Sequence, residues 1–340
     1  MNLFLELLAT FAISFVLTWY IRIIAIRKSI LDIPNERSSH TIPTPKGGGL
    51  AVAISWFIGI SWLFYAGEIT IYIYLALLSG LPLVIIGFLD DIFDIPPGIR
   101  SIVQVFSAVT ALWFVKGIDS VHLGLLVLNF SLVINILAVI FIVWYINLFN
   151  FLDGIDGYIG LETIFVGLAS ILLFQNIAGL FLAVAVFGFL LWNWPRAKIF
   201  MGDVGSTLIG FTFAILTIQS EKIQPASLVS WLILTSVFWF DATFTLYRRI
   251  KNREKLSQAH RNHAYQRIVR AGWSHQKTDL TALGLNIIGF GLAFLCIKFP
   301  LYSLLFLLIN IILLFYVNSL IDKRLPFPYK TLHTSSSQKM

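Results

Sequence analysis

Polar residues in this chain are gathered into short clusters, and the stretches between them are too long and too uniformly apolar for a water-soluble fold. Ile71–Leu89 and Leu132–Phe149 carry no charge, Leu3–Ile24 carries only Glu6 and Arg22, and Phe165–Phe174 with its flanks continues the theme. Each is long enough to cross a hydrocarbon core of about 30 Å as a helix. A helix lying on a soluble core would show a polar stripe at the 3.6-residue period, and these runs show almost none. The pattern predicts eleven spans, near 3–24, 48–66, 71–89, 100–116, 131–149, 157–174, 178–194, 204–219, 225–247, 278–297 and 300–320. The fourth and eighth are the shortest. The expected fold class is therefore all-α, a polytopic membrane protein, because only a helix satisfies its backbone polar groups within one segment in lipid.

Composition agrees, with 58% of the 340 residues hydrophobic, 15% aromatic and 12% charged. That charged share is half the ~25% of an ordinary soluble domain. The net charge of +7 would suit a nucleic-acid binder only if the basic residues formed one surface. Instead they sort by loop. Numbering the loops across eleven spans puts 21 of 24 Lys and Arg on one side, leaving Lys116, Lys222 and Lys298 on the other. Cytoplasmic loops carry such an excess, so the N-terminus is expected outside and the C-terminus in the cytoplasm, with no nucleic-acid partner. Leu3–Ile24 lacks a basic segment before it and a small-residue cleavage site after it, and is expected to be a retained span. The lone Cys296 lies in an apolar run and forms no disulfide framework. The organisation expected is one transmembrane catalytic domain over 1–322 and a polar cytoplasmic tail over 323–340, disordered at its end.

The polar clusters then carry the chemistry. Asp90, Asp91 and Asp94 follow the third span, Asp153 and Asp156 precede the sixth, and Asp203 precedes the eighth, all on the basic-rich side. A carboxylate at a span end is costly unless it binds a cation, pairs with a base or holds a proton. Adjacent Asp90 and Asp91 repel, so one holds a proton or the pair recruits a metal; a solvated helix end is the plain alternative. Asp153 and Asp156 share a loop with Asn147, Asn150, Gly154 and Gly157, and would lie on one face of a helix continuing into the sixth span. Asp203, between Gly202 and Gly205, opens the eighth span, where backbone N–H groups and a carboxylate can meet one phosphate–metal unit. Helix capping is the simpler reading of both segments. Lys46-Gly47-Gly48-Gly49 offers a point charge and a chain able to approach a ligand, although it is no P-loop. His260-Arg261-Asn262-His263 fits a diphosphate clamp better than a zinc site, for which further ligands are missing, or else a basic face toward anionic lipid.

Taken in order, these inner-loop motifs resemble the polyprenyl-phosphate N-acetylhexosamine-1-phosphate transferase family, and the string His260-Arg261-Asn262-His263-Ala264-Tyr265-Gln266 looks closest to its WbpL-like branch. The resemblance runs from about Arg37 to Arg267. It implies catalytic roles for Asp90, Asp91, Asp153, Asp156, His260 and His263, with Asp90 the base toward the lipid phosphate, and a metal-ligand role for Asp203. It also implies substrate contacts for Lys46, Asn150, Asn193, Phe200 and Arg261, with Asn193 and Phe200 meeting the uracil. Asn262 replaces the middle histidine of the family motif.

The function implied is Mg2+-dependent transfer of an N-acetylaminosugar-1-phosphate from a UDP-sugar to undecaprenyl phosphate, releasing UMP and starting a lipid-linked surface polysaccharide of the O-antigen type. Mn2+ is the alternative cation. The expected setting is the bacterial inner membrane, with membrane lipid around the chain, the active site facing the cytoplasm, and a homodimer as found among family members. The rival from another class is a secondary transporter or flippase. It would need ionisable residues along a mid-membrane path, where only Asp241 and, near a span end, Glu162 stand, and the chain has no internal repeat. A CDP-alcohol phosphatidyltransferase is excluded because Asp153-Gly154 is not followed by Ala-Arg.

Overall fold

A computed structural model of the chain describes residues 2–34, 42–224, 226–256 and 260–328. The Glu36–His40 stretch and the tail from residue 329, expected to be disordered, lie outside the described residues. The chain forms α1 (Leu3–Arg27), α2 (Gly48–Tyr65), α3 (Ile71–Leu78), α4 (Leu81–Phe93), α5 (Pro97–Phe114), α6 (Ser131–Phe151), α7 (Tyr158–Phe174), α8 (Ile177–Asn193), α9 (Asp203–Ile223), α10 (Ser227–Leu234), α11 (Ser236–Lys251), α12 (Ala264–Arg270), α13 (His275–Lys298) and α14 (Ser303–Arg324). Two antiparallel hairpins, β1 (Leu31–Asp32) with β2 (Thr44–Pro45) and β3 (Val121–Leu123) with β4 (Leu126–Leu128), add short strands that an all-α expectation did not include.

Every expected apolar segment has a helical counterpart, and two of them are broken. The run from 71 yields α3 and α4, interrupted at Ser79-Gly80, with Pro82 in the first turn of α4, where its missing N–H costs nothing. The run from 225 yields α10 and α11, which meet at Thr235 with a bend of 76°. By length and apolarity, six helical stretches among the described residues can cross a membrane: α1, α2, the α3–α4 run, α6, α13 and α14 with the turn before it. The bent α10–α11 pair brings the number to seven, and α7 and α8 are shorter apolar helices. The chain is a multi-pass, mostly helical membrane protein.

Helix α9 explains why one expected span looked weak in the sequence. From Val204 to Ile218 it is buried on all sides, among α2, α4 and α6. A helix that meets only protein needs no lipid-facing surface, so Ser206, Thr212 and Thr217 can replace larger apolar residues. The Thr217 hydroxyl donates to the Phe213 carbonyl at 2.7 Å, which keeps it satisfied away from water.

The N-termini of α2 and α9 are in backbone contact. A Cβ at Gly49 would lie 2.3 Å from Gly205 N, so neither helix tolerates a side chain there. Gly48 N donates to Phe200 O at 2.9 Å and Gly49 N to Met201 O at 2.8 Å. The expectation that this glycine run brings backbone to a ligand is corrected: its N–H groups at 48 and 49 are spent on the 200–201 loop, and the glycines serve helix packing. One consequence is that the loop carrying Asp203 is held against the loop carrying Lys46.

Candidate active site

Three chain segments deliver carboxylates to one place because three helix ends converge there. Asp90 and Asp91 sit in the last turn of α4, Asp153 follows α6, and Asp203 opens α9. Arg100, in the first turn of α5, donates to Asp90 Oδ2 at 2.6 Å and to Asp203 Oδ2 at 3.0 Å, so one guanidinium joins two segments. The Ile95 N–H donates to Asp90 Oδ1 at 2.7 Å and fixes that carboxylate further. Asp203 N lies 3.5 Å from Asp91 Oδ1, and the Gly202 N–H donates to Asp153.

Asp91 Oδ2 is buried and has no hydrogen-bond partner among the described residues. A Cβ on Gly202, whose φ is +75°, would stand 2.5 Å from that same oxygen. Glycine at 202 therefore serves both the backbone turn and the space beside the carboxylate. Burial, followed by the charges of Asp203 and Asp91, pushes the Asp153 carboxyl well above the usual carboxylate range. The Asp153 carboxyl therefore holds a proton more readily than an ordinary carboxylate. Lys46 lies within electrostatic reach of Asp91 while its ammonium sits 3.6 Å from Asp32. Negative charge thus exceeds positive charge in this cluster.

The donor set is all hard oxygen, which suits Mg2+. Among the described residues no group of three or more His, Cys, Asp or Glu is already arranged around a metal position. Mg2+ does not require one, since it is usually held by one or two carboxylates with substrate oxygens and water completing its shell. The unpartnered Asp91 Oδ2 and the crowding of carboxylates around it are what such a cation would relieve, so the residues fit the ion.

The remaining candidates frame this cluster. Asn150 Nδ2 donates to Ser206 Oγ at 3.1 Å, which ties the 150s loop to α9. Asp156 Oδ2 accepts from Ala197 N at 3.1 Å and lies 3.4 Å from His275 Nδ1. Asn193 is buried, accepting from Gly157 N at 2.9 Å and donating to Ile199 O at 3.0 Å. Its amide joins two site loops. Phe200 exchanges backbone bonds with the glycine segment, its N–H donating to Pro45 O at 2.8 Å.

His260, Arg261 and His263 lie in a neighbouring region rather than among the acids. His263 is 5% exposed and its Nδ1 is 3.6 Å from Asp241 Oδ1. Asp241 accepts from the N–H groups of Ala264 at 2.7 Å and Tyr265 at 3.2 Å, holding the start of α12. The expected free diphosphate clamp is thus in part an anchor. His260 stacks beside His263 with ring centroids 4.9 Å apart, and burial with the nearby His263 and Arg249 pushes it down to about 4, so it is neutral at ordinary pH. Arg261 accepts a bond from Arg270 through its carbonyl at 3.3 Å. Tyr265 links the two regions, its hydroxyl donating to Phe151 O at 3.1 Å next to the Asp153 loop.

Arg100, Asp241 and His275 have functional positions that sequence reasoning missed. Arg100 had a signal: it is the single basic residue on the loop following the aspartate pair. Asp241, the mid-membrane acid a transport path would need, instead accepts from the backbone at the start of α12. Glu162, the other such acid, is buried and accepts from Asn286.

Comparison with known proteins meets this geometry. A profile described as glycosyl transferase family 4 matches residues 72–221, the stretch that holds all the clustered aspartates. The chain is 32% identical over 293 residues to an undecaprenyl-phosphate alpha-N-acetylglucosaminyl 1-phosphate transferase of Yersinia pestis, covering 80% of this chain and 78% of that protein. It is 32% identical over 294 residues to the protein of the same description from Escherichia coli K12, with coverage of 80% and 78%. It is 29% identical over 290 residues to a probable undecaprenyl-phosphate N-acetylglucosaminyl 1-phosphate transferase of Bacillus subtilis, with coverage of 81% and 78%. Similarity of this extent, with the carboxylates of three separate segments gathered at one point, makes the chain an enzyme of glycosyl transferase family 4.

Proposed function

We propose that the chain transfers an N-acetylaminosugar-1-phosphate from a UDP-sugar to undecaprenyl phosphate, releasing UMP and beginning a lipid-linked polysaccharide. The observation that carries the reading is the meeting of Asp90, Asp91, Asp153 and Asp203 around Arg100 and Gly202, with one carboxylate oxygen left unpartnered. An oxygen of the lipid phosphate attacks the sugar-bearing phosphorus of the donor. A new P–O bond forms, the bridging P–O bond to the uridine-side phosphate breaks, and UMP leaves with the electron pair. Asp90 keeps the attacking phosphate deprotonated, and Arg100 holds Asp90 and Asp203 in register for it. Asp203 and Asp91 would hold a Mg2+ ion, which would supply positive charge against the repulsion between the two phosphate anions and on the departing UMP. Asn150, Asp156 and Asn193 set the donor-side loops, Asn193 acting through its bonds to Gly157 and Ile199 beside Phe200 on the base side, while Lys46, His260 and Arg261 border the diphosphate and His263 anchors their segment on Asp241.

The proposed setting is the inner membrane, with eleven spans and the site at the cytoplasmic face. The loop charges support it, since 21 of 24 basic residues then fall on one side. Relatives described as acting on undecaprenyl phosphate support the acceptor. Purified protein given undecaprenyl phosphate, Mg2+ and a panel of UDP-N-acetylaminosugars is expected to release UMP with at least one of them. Silence across the panel would end this reading.

A further inference from the structure

A second cavity of about 580 Å3 lies between α11, α12, α13 and α14, and it shares Tyr158, Asp241 and Tyr265 with the histidine region. Its size falls within the roughly 300–1,000 Å3 of ordinary ligand sites. Val237, Phe240, Leu285 and Leu314 give it an apolar lining, and Ile268 accepts from the Trp273 N–H at 3.2 Å. Trp273, Lys323 and Arg324 border it as well. From Leu314 to Arg324 the wall is ten residues of helix, about 15 Å. Lys323 and Arg324 are exposed and form no ion pair among the described residues, and the Arg324 guanidinium sits 5.9 Å from the Trp273 ring centre.

A mainly apolar slot bordered by two cations and an indole has the chemistry to take a lipid with a negative headgroup. Trp and basic side chains sit at the headgroup level of a bilayer, and each Lys or Arg there attracts anionic lipid. The acid lining the slot, Asp241, does not oppose this, because its oxygens already accept from Ala264, Tyr265 and Thr245. Asp322, beside Lys323, is occupied by Arg248 and Arg267. The segment 329–340 is poorly matched as an occupant, since it holds Lys330, His333 and Lys339 and no acid.

We propose that this cavity binds an anionic phospholipid, one acyl chain in the slot and the phosphate on Lys323 and Arg324. Ala264, Tyr265 and Ile268 of α12 form one wall of the slot, and the Tyr265 hydroxyl bonds the chain at Phe151, two residues before Asp153. An acyl chain behind α12 therefore braces the loop that carries Asp153, and the enzyme's rate follows the charge of the lipid around it. The binding half of this inference is independent of the proposed reaction; the rate half rests on it.

The full-length protein is exchanged into phosphatidylcholine nanodiscs with or without phosphatidylglycerol, and retained lipid is read by native mass spectrometry alongside UMP release. The wild type is expected to retain phosphatidylglycerol over phosphatidylcholine. The double variant K323E/R324E weakens that retention by roughly tenfold or more, from two lost cations. Ala282→Phe, which fills the slot, removes retention whatever the headgroup. Phosphatidylglycerol raises UMP release in the wild type and leaves both variants at their phosphatidylcholine rate. Equal retention of the two lipids, unchanged in the double variant, overturns the proposal. So does displacement of the retained lipid by undecaprenyl phosphate, or protection of the slot by a second copy of the chain. A protein that holds phosphatidylglycerol selectively but releases no UMP from any donor supports the lipid site and sinks the reaction.

Discussion

Two charged clusters sit within this apolar protein, and they are built on opposite terms. Around Asp322, Arg248 donates at 3.0 and 2.6 Å, Arg267 donates to the same carboxylate and to Leu325 O at 2.9 Å, and Phe327 packs beneath both guanidinium groups. Two guanidinium groups share one carboxylate there, and the cluster locks α11, α12 and α14 together, though the Nε of each arginine is buried without a partner among the described residues. Around Asp203 the reverse holds: Arg100 bonds two of four clustered carboxyls, Lys46 reaches Asp91 only electrostatically, and Asp91 keeps an oxygen without a partner among the described residues. A fold gains nothing from unbalanced buried charge, which costs several kcal/mol per uncompensated ion. The Asp322 cluster serves the fold by joining helices, and the acid-rich one is where the proposed cation would offset repulsion.

The sharpest way to break the comparison is to neutralise one member of each. Asp203→Asn is expected to lower UMP release by about 10²–10³-fold, the scale of removing transition-state charge stabilisation, while leaving thermal unfolding in detergent nearly unchanged. Near-normal turnover would remove Asp203 from the metal position. Asp322→Ala should act the other way, because it strands Arg267, which is only 1% exposed. A loss of about 3 kcal/mol in stability is expected, with the rate per folded molecule kept within a few-fold. A stable Asp322→Ala protein with a collapsed rate would erase the distinction between the clusters.

Titration sharpens the contrast further. Asp153 binds its proton more tightly folded than unfolded, so the folded state carries more protons once pH rises past the ordinary carboxylate value near 4. In EDTA, stability is therefore expected to fall as pH climbs through that window toward the raised value. Asp153→Asn should flatten the slope and stabilise the cation-free protein while abolishing activity. An unchanged slope by pH-resolved unfolding would mean that Asp153 is already ionised. His260 has the opposite sign. Its value drops from 6.5 to about 4, so the unfolded chain takes the proton first and stability falls as pH is lowered across that interval. His260→Gln should remove this loss, the smallest of the four effects because the ring is partly exposed and water screens it.

Much of this was legible in the sequence, for reasons that differ by feature. Helical apolar runs are local, so each one produced a helix where the pattern put it. The aspartates were legible because a carboxylate between two apolar runs has few inexpensive explanations. Arg100 was not, because its value depends on Asp203, which lies 103 positions away. The breaks at Gly80 and Thr235 were equally hidden, since the apolar pattern passes through both without a change of period. Gly47–Gly49 misled for a related reason: a glycine run announces close approach without saying whether the neighbour is a ligand or another helix, and Gly205 decided it. His263 looked available for catalysis until Asp241 came into view from a different helix.

The seam where Gly49 meets Gly205 is backbone against backbone, with the Met201 side chain closing its edge, and that shapes how such an enzyme can diversify. A contact made of backbone alone cannot be retuned by exchanging one residue for a slightly larger or smaller one. Its position is inherited whole, as a keystone is, and variation is pushed outward to the rim. A lineage adopting a new donor would have to rewrite the bordering residues while this stone stayed in place.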